Sequence, residues 1–265
     1  MVNMNHKKKK EFSCLLDVMR GDLSLSRRQA CRVAAVLGMS MTAFLPFRIR
    51  NAFAWGKKSF KEEERSMDLK EPLIDGNFSL EKAIKRRRTI RSFREETVTE
   101  KQFSQILWAA QGITEDRGYK RAAPSGGALY PLDVFAVSGK NGVKNLKEGV
   151  YRYNTRNHSV TKVAEGDRKR EVARASLGQM WMADAAVLFV LTAEYDRITV
   201  KYGKRGIRYA LIEVGHVGQN IFLQCQSLGL AAGIVGAFDD RKVTEVMGTE
   251  KKHAPLLIMP VGWQS

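Results

Sequence analysis

The chain has 265 residues, 44% of them hydrophobic, enough for one large domain or two small ones around a real core. Its formal charge is +17 at pH 7, and residues 1–54 hold ten Lys/Arg against three acids. That balance suits an anionic ligand or surface, but no nucleic-acid motif and no basic patch interleaved with aromatics is present, so DNA and RNA are not expected partners.

Residues 1–28 are polar and basic, with the run Lys7–Lys10. Then come Ser26-Arg27-Arg28-Gln29-Ala30-Cys31-Arg32 and an apolar segment from Val33 to Phe47, too short for a comfortable membrane span. Arg48, Arg50 and Ala52-Phe53-Ala54 follow. A charged start, a short apolar stretch and a small-x-small end read as a secretory signal. The paired arginines before a weakly apolar stretch resemble a twin-arginine (Tat) signal. Cleavage after Ala54 is expected, with an uncleaved N-terminal anchor as the alternative. Either way the protein is expected to be exported, to the periplasm or its equivalent, with the Tat machinery as a partner. Cys14 and Cys31 lie in this leader, so Cys225 alone remains, which excludes an intrachain disulfide and a cysteine metal cluster. It falls on the apolar side of a helix pattern and reads as a small core residue.

Residues 55–78 are charged and mixed and read as a linker, leaving 79–265 as the folded domain. Leu80 to Arg88 reads as a short helix. Thr99-Glu-Lys-Gln102 is a capping box, followed by Phe103, Ile106, Leu107 and Ala110 at helical spacing, with Gly112 placed to end the helix. Pro124-Ser-Gly-Gly-Ala-Leu-Tyr-Pro131 is a loop stiffened by two prolines, and a flat ligand can lie on the bare backbone of Gly126 and Gly127. Val134–Ser138 reads as a strand, and Gly149–Tyr153 with Ser159–Val163 as a hairpin. Asp167 is expected to cap a helix running to about Met182. Ala185–Thr192 is a continuous apolar run and so a buried strand. Ile207–Leu228 is a long helix ended by Gly229, with Leu211, Val214, Gly218, Ile221, Phe222 and Cys225 as its apolar stripe. Leu230–Val235 reads as a strand, Asp239/Asp240 cap a short helix ending at Gly248, and Leu256–Val261 is the last strand. Strands and helices mix without a strict βαβ rhythm, which gives an α+β fold.

Arg87, Thr89 and Arg91 alternate, so an extended backbone points two guanidiniums and a hydroxyl to one side, suited to a phosphate or a polyol. Glu213 and His216 lie three apart on the long helix but lack a third ligand, so no metal is expected and they read as core or dimer contacts.

Together, Arg87-x-Thr89-x-Arg91-x-Phe93, the Pro124–Pro131 loop and Gly229-Leu-Ala-Ala-Gly-Ile-Val-Gly236 resemble the nitroreductase family of flavoenzymes, and within it the SagB/ThcOx-type branch that includes azoline dehydrogenases. The resemblance spans about Ser79 to Val261. It implies a mixed, mostly antiparallel central sheet wrapped by helices, bound FMN, and a homodimer with flavin at the subunit interface. Arg87, Thr89 and Arg91, assisted by Arg88, match the segment on the ribityl-phosphate and the pyrimidine edge. Pro124, Ser125, Gly126 and Gly127 match the loop against the isoalloxazine ring, with Leu129 nearby. Gln179 falls where the branch often has an amide near the flavin. Ile234, Val235 and Gly236 match the strand end over the other flavin face.

Lys201-Tyr202 resembles the Lys-Tyr pair that assists substrate deprotonation in azoline dehydrogenases. The chain stops at Gly262-Trp-Gln-Ser265, without the basic residues that many members carry near the C-terminus. Lys251, Lys252 or Arg208 are candidate substitutes at the phosphate. The expected activity is an FMN-dependent transfer of hydride or electrons to or from a small organic substrate. The alternative is a non-catalytic flavin-binding or interaction domain.

Overall fold

The computed structural model describes residues 66–265. The expected signal and its cleavage point lie outside the described residues.

The middle of the domain follows from one apolar run. Val187–Ala193 (β6) is buried along its whole length and lies between Leu132–Ser138 (β3) and Ala254–Gln264 (β8). Its side chains alternate between two cores, as strand geometry requires. Phe189 points to one side and stacks on Phe103 at 5.9 Å, while Leu188 and Val190 point to the other. The strands Gly149–Asn154 (β4) and Ser159–Glu165 (β5) extend the sheet from β3, and Ser66–Asp68 (β1) closes that edge. Phe93–Arg94 (β2) closes the other edge against β8, and Ala231–Ala232 (β7) also pairs with β8. All these pairings are antiparallel; an isolated parallel bridge joins Val98 to Val143.

Helices cover both faces. Leu80–Arg86 (α1) begins at an N-capping Ser79, and Glu100–Gln111 (α2) begins at Thr99 with both bonds of the capping box formed. Gly112 ends α2 by close approach, since a Cβ there would stand 2.2 Å from the Trp108 ring. Lys169–Ala175 (α3) and Asp240–Met247 (α6) pack on the opposite face, α6 running between an Asp239 cap and a left-handed Gly248. Asp196–Tyr202 (α4) leads into the 23-residue Arg205–Ser227 (α5), which buries Ala210, Val214, Val217, Ile221, Phe222 and Cys225. Burial pushes the Cys225 thiol far above its usual range. Among the described residues no helix is long and apolar enough to cross a membrane.

Four expectations are corrected. The helix expected from Asp167 to Met182 breaks after Ala175, because Leu177 and Gly178 turn left-handed; a 3₁₀ turn, Met180–Asp184, follows. The strand expected over Leu230–Val235 pairs only at Ala231–Ala232 and then by one bridge from Val235 to Ile258. Its partner β8 carries Pro260, which accepts from Gly233 but has no N–H to return. Leu211 leaves the buried stripe and is 51% exposed, since the first turns of α5 lie against α4, where Gly206 approaches the Ile198 backbone, rather than over the sheet. The linker is shorter than expected. Met67 and Leu69 pack on the core, the Leu69 N–H donates to His158 O at 3.0 Å, and the Leu73 N–H to Gln105 Oε1 at 2.7 Å.

One ion network ties β3 to three distant elements. Asp133 accepts from Arg152 and Arg197, each at 2.9 Å, and lies 3.2 Å from His253 Nδ1. Arg197 also reaches Glu194 at 2.6 Å. Asp133, Glu194 and His253 stand close enough to share a metal ion, but the Arg197 guanidinium already bridges both carboxylates. Burial alone would raise the Asp133 carboxyl, yet the close approach of His253 and the two arginines outweigh it and hold the carboxyl far below its usual value. A depressed carboxylate stabilises the fold above its unfolded pKa, about 3.9, and that stability is lost as pH falls toward the folded value. The thermal midpoint is expected to fall steeply below about pH 4, and Asp133→Asn to start lower and flatten that dependence. A variant that keeps the full acid slope overturns the assignment.

Candidate functional site

The residues expected to hold a ligand fall into two groups, on different stretches of α5. The first begins where α1 ends. Arg87 takes the C-cap position, its N–H donating to Ala83 O at 2.9 Å, and its guanidinium stands 5.1 Å from the Phe222 ring. Arg88 folds back on the helix end and donates to Lys85 O and Arg87 O at 3.0 and 2.8 Å. That satisfies orphan carbonyls at a helix C-terminus. Arg88 therefore does not join Arg87 as expected. Thr89 is half-buried and Arg91 is exposed, 6.0 Å over the Trp181 ring. The Ile90 N–H donates to Ala232 O, which brings the segment against Gly229–Gly236. Gly233 is required there, because a Cβ would meet Ile90 O at 2.8 Å and the Trp181 ring at 2.9 Å.

Ile234-Val235-Gly236, expected over the other flavin face, divides between core and surface. Val235 is 3% exposed, sits in the second core and exchanges backbone bonds with Ile258 at 2.8 and 2.9 Å. Its side chain is buried in that core, while Ile234 and Gly236 are exposed. Gln179 spends its amide on the backbone, donating to Ser176 O at 3.0 Å and Ala237 O at 3.1 Å. It braces the turn after Gly236 instead of presenting donors outward. Lys251 and Lys252 precede β8, whereas Gln264 pairs with Phe93 at its far end. At about 3.3 Å per residue those lysines lie some 30 Å or more from Arg91 along the strand, so within one chain they do not substitute at the phosphate.

The second group centres on the Pro124–Pro131 loop. Ser125 holds its turn, accepting from the Tyr130 N–H at 2.9 Å through Oγ and from the Ala128 N–H at 3.1 Å through its carbonyl. Gly127, Ala128 and Tyr130 are left-handed, at φ 63°, 55° and 46°. Two of them are not glycine, which stores about 1–3 kcal/mol each. Arg121 over the Tyr130 ring at 4.1 Å and the Tyr130 hydroxyl on Tyr119 O at 2.8 Å over-determine the shape. Pro124 is exposed and Leu129 half-buried at the rim.

This loop meets Lys201 and Tyr202. A Cβ on Gly127 would lie 2.6 Å from Tyr202 Oη and 3.1 Å from Lys201 Nζ. The glycine thus makes room for the pair, and the two expected chemical elements are neighbours. Tyr209 packs edge-on against Tyr202, at 5.1 Å between centroids, and its Cβ lies beneath Gly126. Tyr209 and Trp181 were not singled out in the sequence; the only signal was their aromatic character beside recognised motifs. Glu213, 1% exposed, reaches Gln111 at 3.4 Å and lies beside Ser125. Burial pushes its carboxyl up, against the pull of Ser125, Gln111 and Arg121. His216 is exposed, so the two do not form a pair. Between the two groups α5 shows an apolar outer face of Ile207, Leu211 and Ile212. Among the described residues no hydrogen bond or ion pair links the groups.

The model of the Nitroreductase family matches residues 84–263. A Methanocaldococcus jannaschii protein, MJ1384, named provisionally as a nitroreductase, is 40% identical over 197 residues, 74% of this chain and 96% of that one. The Microcin B17-processing protein McbC of Escherichia coli is 28% identical over 149 residues, 54% of each chain. A crystal structure from Ralstonia eutropha, also a provisional nitroreductase, superposes with TM-score 0.67 and 26% identity over 76% of this chain and 90% of that chain. With an antiparallel sheet wrapped by helices and a family match over most of its length, this chain belongs to the nitroreductase family.

Proposed function

We propose that this domain is an FMN-dependent oxidoreductase of the SagB-type dehydrogenase kind, completed by a second copy of the chain. The observation that carries the reading is the contact of Lys201 and Tyr202 with the strained Gly127 loop. The residues fit the cofactor. Arg87 and Arg91 offer guanidiniums to a phosphate, and the Thr89 hydroxyl suits a polyol. Gly236 has open space where a side chain would stand. Arg87, Thr89 and Arg91 would hold the ribityl-phosphate, Ser125, Gly126 and Gly127 one edge of the ring, and Ile234 with Gly236 its other face. A bound flavin supplies the centre that accepts or releases a hydride.

The chain's own part is positioning and proton transfer. Tyr202 Oη, held by Tyr209 and facing the Gly127 backbone, takes a proton from the substrate carbon or heteroatom. The Lys201 ammonium beside it pairs with the phenolate that accepts this proton. The likeness to McbC, named as a Microcin B17-processing protein, supports a peptide-derived substrate over a nitro compound. One structural neighbour is an NADPH:FMN oxidoreductase from Vibrio harveyi, at TM-score 0.51 and 19% identity, a likeness of fold alone. The exposed Ile207, Leu211 and Ile212 support pairing of two copies through α5. Export through the Tat pathway completes the reading, since that route carries folded, cofactor-loaded proteins.

The purified folded protein is expected to be yellow and to hold about one flavin per chain by absorbance, with Arg87→Gln and Arg91→Gln each lowering affinity about tenfold, the worth of one charge-assisted hydrogen bond. A colourless protein that takes up no FMN on reconstitution overturns the assignment. A yellow protein without turnover leaves the non-catalytic flavin binder.

A further inference from the structure

Behind the Pro124–Pro131 loop the surface opens into a groove that the chemistry above does not use. Its first part holds about 350 Å³ and is lined by Arg121, Arg152, Arg156 and Arg197 with Asp133 as its one carboxylate. Asp133 is already engaged by Arg152 and Arg197. Among the described residues neither Arg121 nor Arg156 forms an ion pair. Half-buried Arg121 makes its direct contacts with neutral groups, the Gln111 amide oxygen at 3.3 Å and the Tyr130 ring at 4.1 Å, and burial lowers its pKa below the usual guanidinium value, against the pull of Glu213 and Asp133. A cation drawn out of water with spare donors is stabilised by an oxyanion, which a planar guanidinium grips in two places.

A second part, about 750 Å³, continues from the first through Arg121, Tyr153, Thr155 and Arg156. It adds Trp108, Ile113 and Tyr119 to the wall, and with them Glu71, Asp116 and Arg117. One end of the groove is therefore cationic, and the other sets aromatic faces among charges of both signs.

We propose that this groove is a second ligand site, for an organic acid whose carboxylate sits on Arg121 and Arg156 and whose apolar body lies along Trp108, Ile113 and Tyr153. The site stands apart from the flavin reading and does not depend on it. It does touch the same loop from behind: Arg121 covers the Tyr130 ring, Arg197 donates to Tyr130 O at 3.4 Å, and the Tyr130 N–H holds Ser125. An occupant thus bears on the residues that brace the loop.

The test is calorimetric titration of the protein as purified with three probes: N-acetylphenylalanine, its neutral amide and inorganic phosphate. One equivalent of the acid is expected to bind, with the amide and phosphate each at least tenfold weaker. Arg156→Gln, at an exposed hairpin turn, and Arg121→Gln are each expected to weaken the acid about ten- to a hundredfold, the worth of one or two charge-assisted hydrogen bonds, while Arg87→Gln leaves it unchanged. Circular dichroism checks the fold of Arg121→Gln, and Arg156→Gln carries the test if that variant misfolds. Absence of saturable binding, or binding that survives both substitutions, overturns the site. Loss on Arg87→Gln instead places the anion at the cofactor's phosphate seat and overturns it as well. Phosphate binding as tightly as the acid overturns the apolar part.

Discussion

Gly127→Ala is expected to lower turnover by about a hundredfold while lowering flavin affinity by only about tenfold. Two physical effects separate the numbers. A left-handed alanine costs about 1–2 kcal/mol, close to one decade in any equilibrium that needs the loop in this shape. Gly127 holds φ 63° beside Ala128 and Tyr130, themselves left-handed, so the loop has little freedom to relieve the strain by turning elsewhere. The second effect is steric and local. The new methyl would stand 2.6 Å from Tyr202 Oη and 3.1 Å from Lys201 Nζ. Both are ends of flexible side chains, so they move rather than the backbone. What moves is the pair that carries the proposed proton transfer, and misplacing such a group by about 1 Å costs on the order of a hundredfold. Gly126→Ala is the control: its methyl would meet Tyr209 and Ile198 at ordinary contact distances of 3.4–3.5 Å. Steady-state kinetics and flavin titration on both variants measure the split. Equal losses in turnover and affinity from Gly127→Ala would leave the loop a cofactor support and remove its link to Lys201 and Tyr202.

The same loop marks the boundary of what the sequence discloses. The capping box at Thr99, the ends of α5 and α6 at Gly229 and Gly248, and the buried run of β6 are written in residues a few positions apart, and each is found where its spacing places it. The Asp133 network is not written that way. Its arginines lie 19 and 64 residues away, so only the packed sheet brings them together. Val235 was legible in principle: neighbours on an extended strand face opposite sides, so Ile234 and Val235 cannot both cover a ligand, and the one flanked by core contacts turns inward. Gln179 and Arg88 show a different limit. Both are polar and both sit in the expected segments, but nearby backbone carbonyls claim their donors first. Residue type predicts a capacity to bind; competition from the chain's own backbone decides whether that capacity faces outward. Lys201 and Tyr202 lie against the loop although some 75 residues separate them from Gly127 in the chain, a neighbourhood that no local spacing could disclose.

Tyr202→Phe separates the two kinds of reaction that this site can support. The substitution removes one oxygen and keeps the ring, so the edge-on contact with Tyr209 at 5.1 Å and the half-buried packing survive. Flavin affinity is therefore expected to change less than about threefold, well under the tenfold that one charge-assisted hydrogen bond is worth. A dehydrogenation that breaks a C–H or heteroatom–H bond needs a base at the substrate, and loss of a positioned base costs about 10²–10⁴ in rate. Reduction of a nitro compound or quinone by a pre-reduced flavin takes its protons from solvent and should keep most of its rate. Oxidation of a cyclised-peptide or azoline-type substrate is thus expected to fall by two to four decades in Tyr202→Phe, with dithionite-reduced enzyme still passing electrons to a quinone at near the parent rate. Lys201→Met, which keeps the stem and removes the charge, should follow the same pattern with a smaller loss, because an ammonium that only pairs with the phenolate before it takes the proton acts through its neighbour. If Tyr202→Phe leaves every oxidation untouched, the pair is a packing contact beneath the Gly127 loop, and the proton must leave the substrate for another group or for water.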